Sequence, residues 1–247
     1  MLRGFSQSIK PAHSEIQFTL SQCRPTIRRH CRFLLDLLDI NQALSNQLKD
    51  AVEKMMGNQA TLSDRFDQAL AYAAVIHAGQ MRKATQIPYI AHLLGVTSIA
   101  LEYGADEAAA IAALLHDAGE DAGGIGRIAD IRARFGDKVA AIVEGCTDAV
   151  TIPKPPWRGR KEQYIAHLES ADASTILVSA SDKLYNTRAI LRDLRREGDA
   201  AFDRFNGKKD GTLWYYRSLV TAFRKHGNNE LIDELDRVVS EIEAIAQ

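Results

Sequence analysis

The uninterrupted apolar run Ile111–Leu115 leads directly into the titratable stretch His116–Asp121, which reads HDAGED. Asp106 lies upstream as a helix N-cap, so the run predicts a helix that is buried in the core. Several ionisable groups beside a buried helix are costly unless they pair with other groups or bind a metal ion. Whatever fold the chain adopts must therefore bring partners to the end of this helix.

The overall composition sets the broad class of the protein. Of its 247 residues, 46% are hydrophobic and 26% are charged, which is typical of a globular protein with a substantial core. The formal net charge of -1 argues against nucleic acid or a membrane surface as a partner. A small-molecule ligand is expected instead, and a homo-oligomer stays open.

Helical spacing of apolar residues recurs along the chain, and only six residues are proline. We therefore predict an all-α fold. Residues 122–127 (AGGIGR) are interpreted as a glycine-rich turn. The predicted helices begin after Ser63, near His92, after Asp106, on either side of Gly136, and at residues 162–170, 173–198, 211–227 and 228–247.

The first 60 residues differ from the rest of the chain. They carry a basic cluster at 24–33 (RPTIRRHCRF), followed by a stretch in which leucines recur at helical spacing. We predict an N-terminal helical extension of unknown role over residues 1–60 and the main domain over residues 61–247. Three cysteines without a CxxC pair and no apolar run long enough for a membrane span predict a cytoplasmic protein.

His116 and Asp117 have a geometric restriction because neighbouring side chains on a helix point about 100° apart. Both can face one ion only where the helix ends, and the small residues Ala118 and Gly119 permit such an end. Residues four apart share a helix face, which pairs His116 with Glu120. Taken alone, the pair is also explained by a helix end that becomes solvated.

Two distant residues strengthen the metal interpretation. His92 lies at the start of the preceding predicted helix, and Asp182 follows the apolar residues Ile176–Val178 inside a long one. An aspartate in that position is expensive without a partner. Nitrogen and oxygen ligands together suit Mn²⁺, Zn²⁺ or Fe, with positions left for water or phosphate oxygens.

Five segments in order resemble the hydrolase domain of the Rel/Spo-type alarmone enzymes, with the tail most similar to the small alarmone hydrolases. The resemblance runs in register from Ser63 to Leu194, and it implies an HD-domain helical bundle. The five segments are HAGQMRK, PYIAH, AALLHDAGED, FGDKVAAIVEGCTD and SDKLYNTRAIL, and the tail is LWYYRSLVTAF.

The resemblance implies one divalent metal ion, Mn²⁺ in most relatives. Its ligands would be His92, His116, Asp117 and Asp182. Glu120 and Asp121 match the pair that handles the attacking water. A carboxylate beside a metal-activated water can orient it or take its proton, which agrees with that assignment.

The resemblance also implies a nucleotide substrate. Arg82 and Lys83 match a pair that contacts the base and its phosphates, and Asn186 matches an asparagine near the ribose. A guanidinium can stack on a purine and hydrogen-bond phosphate oxygens. The implied reaction is hydrolysis of the 3′-pyrophosphate of (p)ppGpp, releasing pyrophosphate.

Several alternatives stay open at this point. The substrate could be (p)ppApp, the activity could be phosphatase action on NADPH or another nucleotide, or the domain could bind alarmones without catalysis. The chain departs from the family pattern at Leu93, Ala122 and Ser181, none of which is an implied ligand. Tyr89 is better explained as a core aromatic than as a nucleotide contact, and the roles of His77, Lys183 and Tyr215 stay open.

Overall fold

The computed structural model describes residues 61–121, 123–149 and 153–246, and nine α-helices account for most of them. The predicted helical extension over residues 1–60 lies outside these ranges. Within them the only β pairing is an isolated bridge between Met81 and Pro88, which confirms the all-α prediction. The helices are α1 Asp64–Ile76, α2 Ile90–Glu102, α3 Glu107–Leu115, α4 Ala118–Asp121, α5 Gly124–Cys146, α6 Trp157–Leu168, α7 Ala173–Glu197, α8 Lys208–Arg224 and α9 Glu230–Ile245, with a 3₁₀ helix at Gly198–Phe202.

Side-chain caps explain where several of these helices begin. Ser63 accepts a hydrogen bond from the Arg65 amide at the start of α1, and Asp106 accepts one from the Ala109 amide at the start of α3. Asp172 caps α7 in the same way. Each cap satisfies amides that have no partner within the helix, so the boundaries predicted at Ser63 and Asp106 are confirmed.

Three helices begin at least three residues earlier than the sequence predicts. Helix α5 starts at Gly124, so residues 124–127 of the stretch interpreted as a glycine-rich turn form its first turn. Helix α6 starts at Trp157, directly after Pro156, and not at residue 162, and α8 starts at Lys208 and not at residue 211. The break expected at Gly136 is present, because this residue has φ 85° and ψ 171° within α5.

The described residues pack around two hydrophobic clusters. The first surrounds α3 with residues of α1, α2 and α5, and every residue of α3 from Ala109 to Leu115 is buried, as predicted. The second surrounds α7, from Ile176 to Leu194, with residues of α6, α8 and α9. Helix α7 contacts α2, α3, α5 and α9, so it joins the two clusters.

Helices α2 and α7 approach closely at Gly95. A Cβ atom at this position would lie 2.0 Å from Cε2 of Tyr185, which leaves no room for any side chain. The glycine therefore lets the Tyr185 ring pack against α2, where its centroid is 5.1 Å from that of the His92 ring. None of the described helices combines the length and apolar character that crossing a bilayer would require.

Candidate metal and nucleotide site

Four side chains from three elements converge between the two clusters. His92 lies in the first turn of α2, His116 and Asp117 directly follow α3, and Asp182 lies in the middle of α7. Nε2 of His92 is 3.3 Å from Asp117 Oδ2 and 3.3 Å from Asp182 Oδ1. Nε2 of His116 is 3.0 Å from Asp117 Oδ2 and 3.6 Å from Asp182 Oδ1. All four residues implied as metal ligands therefore face a common point.

The end of α3 makes this convergence possible. Helix α3 ends at Leu115 and α4 starts at Ala118, so His116 and Asp117 lie in the short connection between two helices. Ala118 and Gly119 are both buried here. A Cβ atom on Gly119 would lie 3.2 Å from Ile128 Cδ1 and 3.2 Å from Thr147 Oγ1, so the turn fits tightly against α5.

The hydrogen bonding of His116 prepares Nε2 as a ligand atom. Nδ1 lies 2.8 Å from the carbonyl oxygen of Ala113. A carbonyl only accepts, so Nδ1 carries a proton, and Nε2 is the nitrogen that holds the lone pair when the imidazole is neutral. Nε2 is buried and makes no aligned hydrogen bond to any described residue. Histidines that bind metals typically donate their other ring N–H to a carbonyl or carboxylate in this way.

The ring of His92 is held by packing. It lies 5.1 Å from the His116 ring, 5.1 Å from the Tyr185 ring and 5.4 Å from the Tyr89 ring, measured between centroids. Its Nδ1 atom is buried with no hydrogen-bond partner among the described residues. Contacts with these three aromatic rings therefore set the direction in which Nε2 points.

The electrostatics of the cluster favour a cation. Burial raises the pKa of Asp117 and Asp182, but the facing imidazoles, and for Asp182 the Lys183 ammonium, hold both pKa values well below the usual range. Burial lowers the pKa of His116, but the two carboxylates outweigh it and raise that pKa well above its ordinary value. Carboxylates that favour a proton on an imidazole favour a divalent cation as well, so the proton and the cation compete for the imidazole nitrogen.

These residues fit a divalent metal ion. One ligand atom from each of His92, His116 and Asp117 can be chosen so that all three lie within 4.8 Å of one another. The buried lone pair on His116 Nε2 and the two ionised carboxylates supply the nitrogen and oxygen donors that such ions take.

Tyr89 contacts this cluster directly. Its hydroxyl donates a 2.5 Å hydrogen bond to Asp117 Oδ2, and its ring stacks on His77 with centroids 5.3 Å apart. His77 is buried, and its Nδ1 donates to Gln80 at 2.7 Å. Tyr89 packs against the first hydrophobic cluster and is the N-cap residue of α2, as expected of a core aromatic, and its contact with Asp117 is an addition to that interpretation. Its position three residues before His92, on the same helix face, was the available signal.

Glu120 lies at the other side of the cluster, in α4. Its carboxylate accepts hydrogen bonds from the Asp148 amide at 2.8 Å and from Lys154 Nζ at 3.0 Å. Burial and the nearby carboxylates of Asp148 and Asp117 raise the pKa of Glu120. A raised pKa suits a general base. Asp121 is the last residue of α4, and its side chain lies outside what the structure describes.

The residues implied for nucleotide binding line the same cavity, which has a volume of about 310 Å³. Arg82 Nη2 donates a 2.9 Å hydrogen bond to Asn186 Oδ1, and its guanidinium lies 5.4 Å from the Tyr185 ring centroid. Lys83 is exposed, with Nζ 3.5 Å from Asn206 Oδ1. Cavity-lining residues include Arg82, Lys83, Asp117, Glu120, Asp182 and Asn186.

Lys183 lies inside the site and is not a solvated cation. Its side chain is 13% exposed, and its ammonium is 2.5 Å from Asp182 Oδ2 and 5.2 Å from the Tyr164 ring centroid. Tyr215 is buried with a hydroxyl that has no hydrogen-bond partner among the described residues. It lines an adjoining cavity of about 350 Å³.

Sequence reasoning missed a buried ion cluster beside this second cavity. Asp148, with a side chain that is 3% exposed, accepts hydrogen bonds from Arg160 and from Lys161, the latter at 2.5 Å. Burial pushes the pKa of Asp148 upward, but Lys161 and Arg160 outweigh it and hold that pKa well below its usual range. No periodicity links these residues, so the sequence offered no signal for the cluster.

Comparison with known proteins places the site in a family. Residues 69–213 match a family model described as an HD domain. A Xenopus tropicalis protein named guanosine-3′,5′-bis(diphosphate) 3′-pyrophosphohydrolase MESH1 is 40% identical over 132 residues, which cover 52% of this chain and 69% of that protein. An Aquifex aeolicus guanosine-3′,5′-bis(diphosphate) 3′-pyrophosphohydrolase is 32% identical over 152 residues, which cover 61% of this chain and 21% of that protein.

The fold has a solved counterpart as well. A metazoan ortholog of SpoT, described as hydrolyzing ppGpp, superimposes with a TM-score of 0.62 at 27% sequence identity. The match covers 76% of this chain and 99% of that one. The chain thus spans nearly all of this structure and most of the Xenopus relative, but about a fifth of the Aquifex one.

Proposed function

The chain belongs to the HD domain family, and on that premise we propose that it is a metal-dependent hydrolase of alarmone nucleotides. The reaction would remove the 3′-pyrophosphate of (p)ppGpp and release pyrophosphate. One observation carries the proposal: one cavity is lined by the His92 imidazole, the Arg82 guanidinium and three carboxylates, those of Asp117, Glu120 and Asp182. His116 faces two of these carboxylates from behind the cavity wall. The names of the two sequence relatives and the description of the solved structure support the same substrate class.

We propose Mn²⁺ as the bound ion, held by His92, His116, Asp117 and Asp182. When bound, such an ion activates water and neutralises charge that develops on phosphate oxygens. Mn²⁺ is preferred to Zn²⁺ or Fe from the resemblance to the alarmone hydrolases, and the mixed nitrogen and oxygen donors are compatible with it.

The chain's own residues would then do the following. Glu120, in concert with Asp121, orients the water that attacks the 3′-phosphorus and takes its proton. The bond from that phosphorus to the ribose 3′-oxygen would break, the 3′-oxygen would take up a proton and become a hydroxyl, and pyrophosphate would be released. Arg82 and Lys83 hold the nucleotide, and Asn186 lies between Arg82 and the metal residues. A general base of this kind contributes roughly 10²–10⁴-fold to the rate.

A product assay tests the proposal. Metal-stripped protein would be incubated with Mn²⁺ and, separately, with ppGpp, ppApp and NADPH, and pyrophosphate would be resolved from phosphate. We expect Mn²⁺-dependent pyrophosphate release that is abolished in Asp182→Asn and strongly slowed in Glu120→Gln. The preferred base would decide between (p)ppGpp and (p)ppApp.

Other products would point elsewhere. Phosphate in place of pyrophosphate would mean a nucleotide phosphatase, and no turnover of any of the three would leave a binding module. The division at residue 60 and a cytoplasmic location stay predictions.

A further inference from the structure

We infer that Arg82 and Asn186 are positioning residues for the metal site, so that the arginine proposed to hold the nucleotide also sets how tightly the metal binds. The nucleotide half of this inference rests on the proposed function. The metal half stands on contacts that involve no substrate. Neither residue is among those assigned here as metal ligands.

A continuous chain of contacts joins the two sites through the Asn186 amide. Arg82 Nη2 donates to Asn186 Oδ1 at 2.9 Å, and Asn186 Nδ2 donates to Asp182 Oδ1 at 2.6 Å. This same Oδ1 atom is the one that lies 3.3 Å from His92 Nε2 and 3.6 Å from His116 Nε2. The contact with Arg82 therefore reaches the ligand atom of Asp182 through a single side chain.

The orientation of that amide is fixed by chemistry. A guanidinium has only donors, so the group that Arg82 contacts must be the amide oxygen. A carboxylate only accepts, so Asp182 must face the amide nitrogen. A flipped amide would set donor against donor and acceptor against acceptor, and the two partners together exclude it.

The backbone fixes the residues at both ends of this series of contacts. Asn186 and Asp182 are four residues apart on α7, so they share one face of a helix that is packed on several sides. Arg82 lies on a short hairpin-like loop closed by hydrogen bonds from its own amide to Ile87 O and from the Tyr89 amide to Gln80 O. This loop delivers the guanidinium between the Asn186 amide and the Tyr185 ring.

The physical effect is on the orientation of Asp182. When the Arg82 guanidinium donates to Asn186 Oδ1, it polarises the Asn186 amide and strengthens the hydrogen bond that the amide nitrogen donates to Asp182. That hydrogen bond keeps Asp182 Oδ1 directed at the two imidazoles. Groups that orient metal ligands typically change metal affinity by about 10–100-fold when they are removed. Because coupling between sites is reciprocal, a nucleotide that orders Arg82 also favours the metal.

The test is a double-mutant cycle read by Mn²⁺ binding alone, without nucleotide, from the free Mn²⁺ signal in electron paramagnetic resonance. We expect Asn186→Leu to weaken Mn²⁺ binding about 10–100-fold and Arg82→Met to weaken it about 5-fold or more. In the Asn186→Leu background, Arg82→Met should have no further effect. Lys83→Met is the matched control, because it removes the neighbouring charge without touching Asn186.

Three results would overturn the inference: additive effects in the double variant, equal effects of Arg82→Met and Lys83→Met, or no Mn²⁺ binding by the wild-type protein. Circular dichroism would confirm the fold of each variant, and Asn186→Ser offers a smaller change that removes the same two contacts. Because no substrate is present, this outcome is independent of the turnover assay. Loss of the coupling with turnover intact would remove the inference and leave the proposed function standing.

Discussion

The hydroxyl of Tyr89 lies 2.5 Å from Asp117 Oδ2, the carboxylate oxygen that also faces the Nε2 atoms of both site histidines. Tyr89 is the N-cap residue of α2, and His92 lies one turn further along. One short segment thus supplies an imidazole and the donor that fixes the carboxylate opposite it. The phenol has no place among the proposed ligands, yet it touches one of them.

We expect Tyr89→Phe to weaken Mn²⁺ binding by roughly 10-fold, because Asp117 loses the donor that orients it. The ring and its stacking on His77 are retained, so the melting temperature should change little. A Mn²⁺ titration measures the effect. Tyr185→Phe is the matched control, since its hydroxyl donates to the Ala91 carbonyl and to no site carboxylate. Equal losses in both variants would contradict a role for the Tyr89 hydrogen bond.

Metal binding should stabilise the fold. An ion that binds only the folded protein contributes about 2.7 kcal/mol at a concentration 100 times its Kd. For a chain of this size we expect Mn²⁺ to raise the melting temperature by roughly 5–10 °C. Differential scanning calorimetry of metal-stripped protein, with and without Mn²⁺, measures the shift. The shift should vanish in Asp182→Asn, and its persistence there would remove Asp182 from the ligand set.

Asp148→Ala should be strongly destabilising, because Arg160 and Lys161 would stay at a buried position without their carboxylate. Removing one partner of a buried ion pair typically costs about 3–5 kcal/mol. Urea unfolding measures this cost. Asp137→Ala, at an exposed ion pair with Arg132, should change the free energy of unfolding by less than about 0.5 kcal/mol. Similar values for the two variants would mean that the Asp148 cluster is solvated.

The same carboxylate gives a pH dependence with a definite sign. The folded pKa of Asp148 lies below its unfolded value of about 3.9, so the unfolded chain takes up the proton first. Its contribution to stability is therefore complete above that unfolded pKa, and it is lost as the pH falls from there through the folded pKa. Unfolding free energies measured between pH 6 and pH 3 should fall less steeply in Asp148→Asn than in the wild type. Parallel curves would refute this assignment.

Gly95→Ala tests the close approach of α2 and α7. The new Cβ atom would overlap the Tyr185 ring, and overpacking of this kind typically costs about 1–3 kcal/mol. Displacing Tyr185 also disturbs the ring contact that holds His92, so Mn²⁺ binding should weaken with stability. Gly126→Ala, where a Cβ atom meets nothing within 4 Å, should be neutral or stabilising. Unchanged stability in Gly95→Ala would show that the two helices separate readily.

The parts of the fold that sequence could predict are those set by local chemistry. Ser63 and Asp106 cap their helices through their own side chains, and the break at Gly136 follows from a φ that favours glycine. The starts of α5 and α6 were placed too late, because Gly124 and Pro156 resemble loop residues although both occur at helix starts.

In the candidate site, too, the sequence predicted some residues and missed others. His92, His116, Asp117 and Asp182 were grouped from their motifs, and the structure brings them together. The hydrogen bond of Tyr89 and the cluster around Asp148 depend on which elements pack together, and no local spacing encodes such contacts. Sequence alone therefore grouped the proposed ligand residues better than it found the groups that orient them.

Helix α7 runs through both hydrophobic clusters, and Asp182 lies near its middle. Amides in such a segment exchange their hydrogens with solvent when both clusters open together, whereas α2, whose buried apolar residues lie in the first cluster apart from Ile99, can open with that cluster. The half of the site carried by α7 should therefore outlast the half carried by α2 during partial unfolding. On heating, His92 would then leave its position in the site first and Asp182 last.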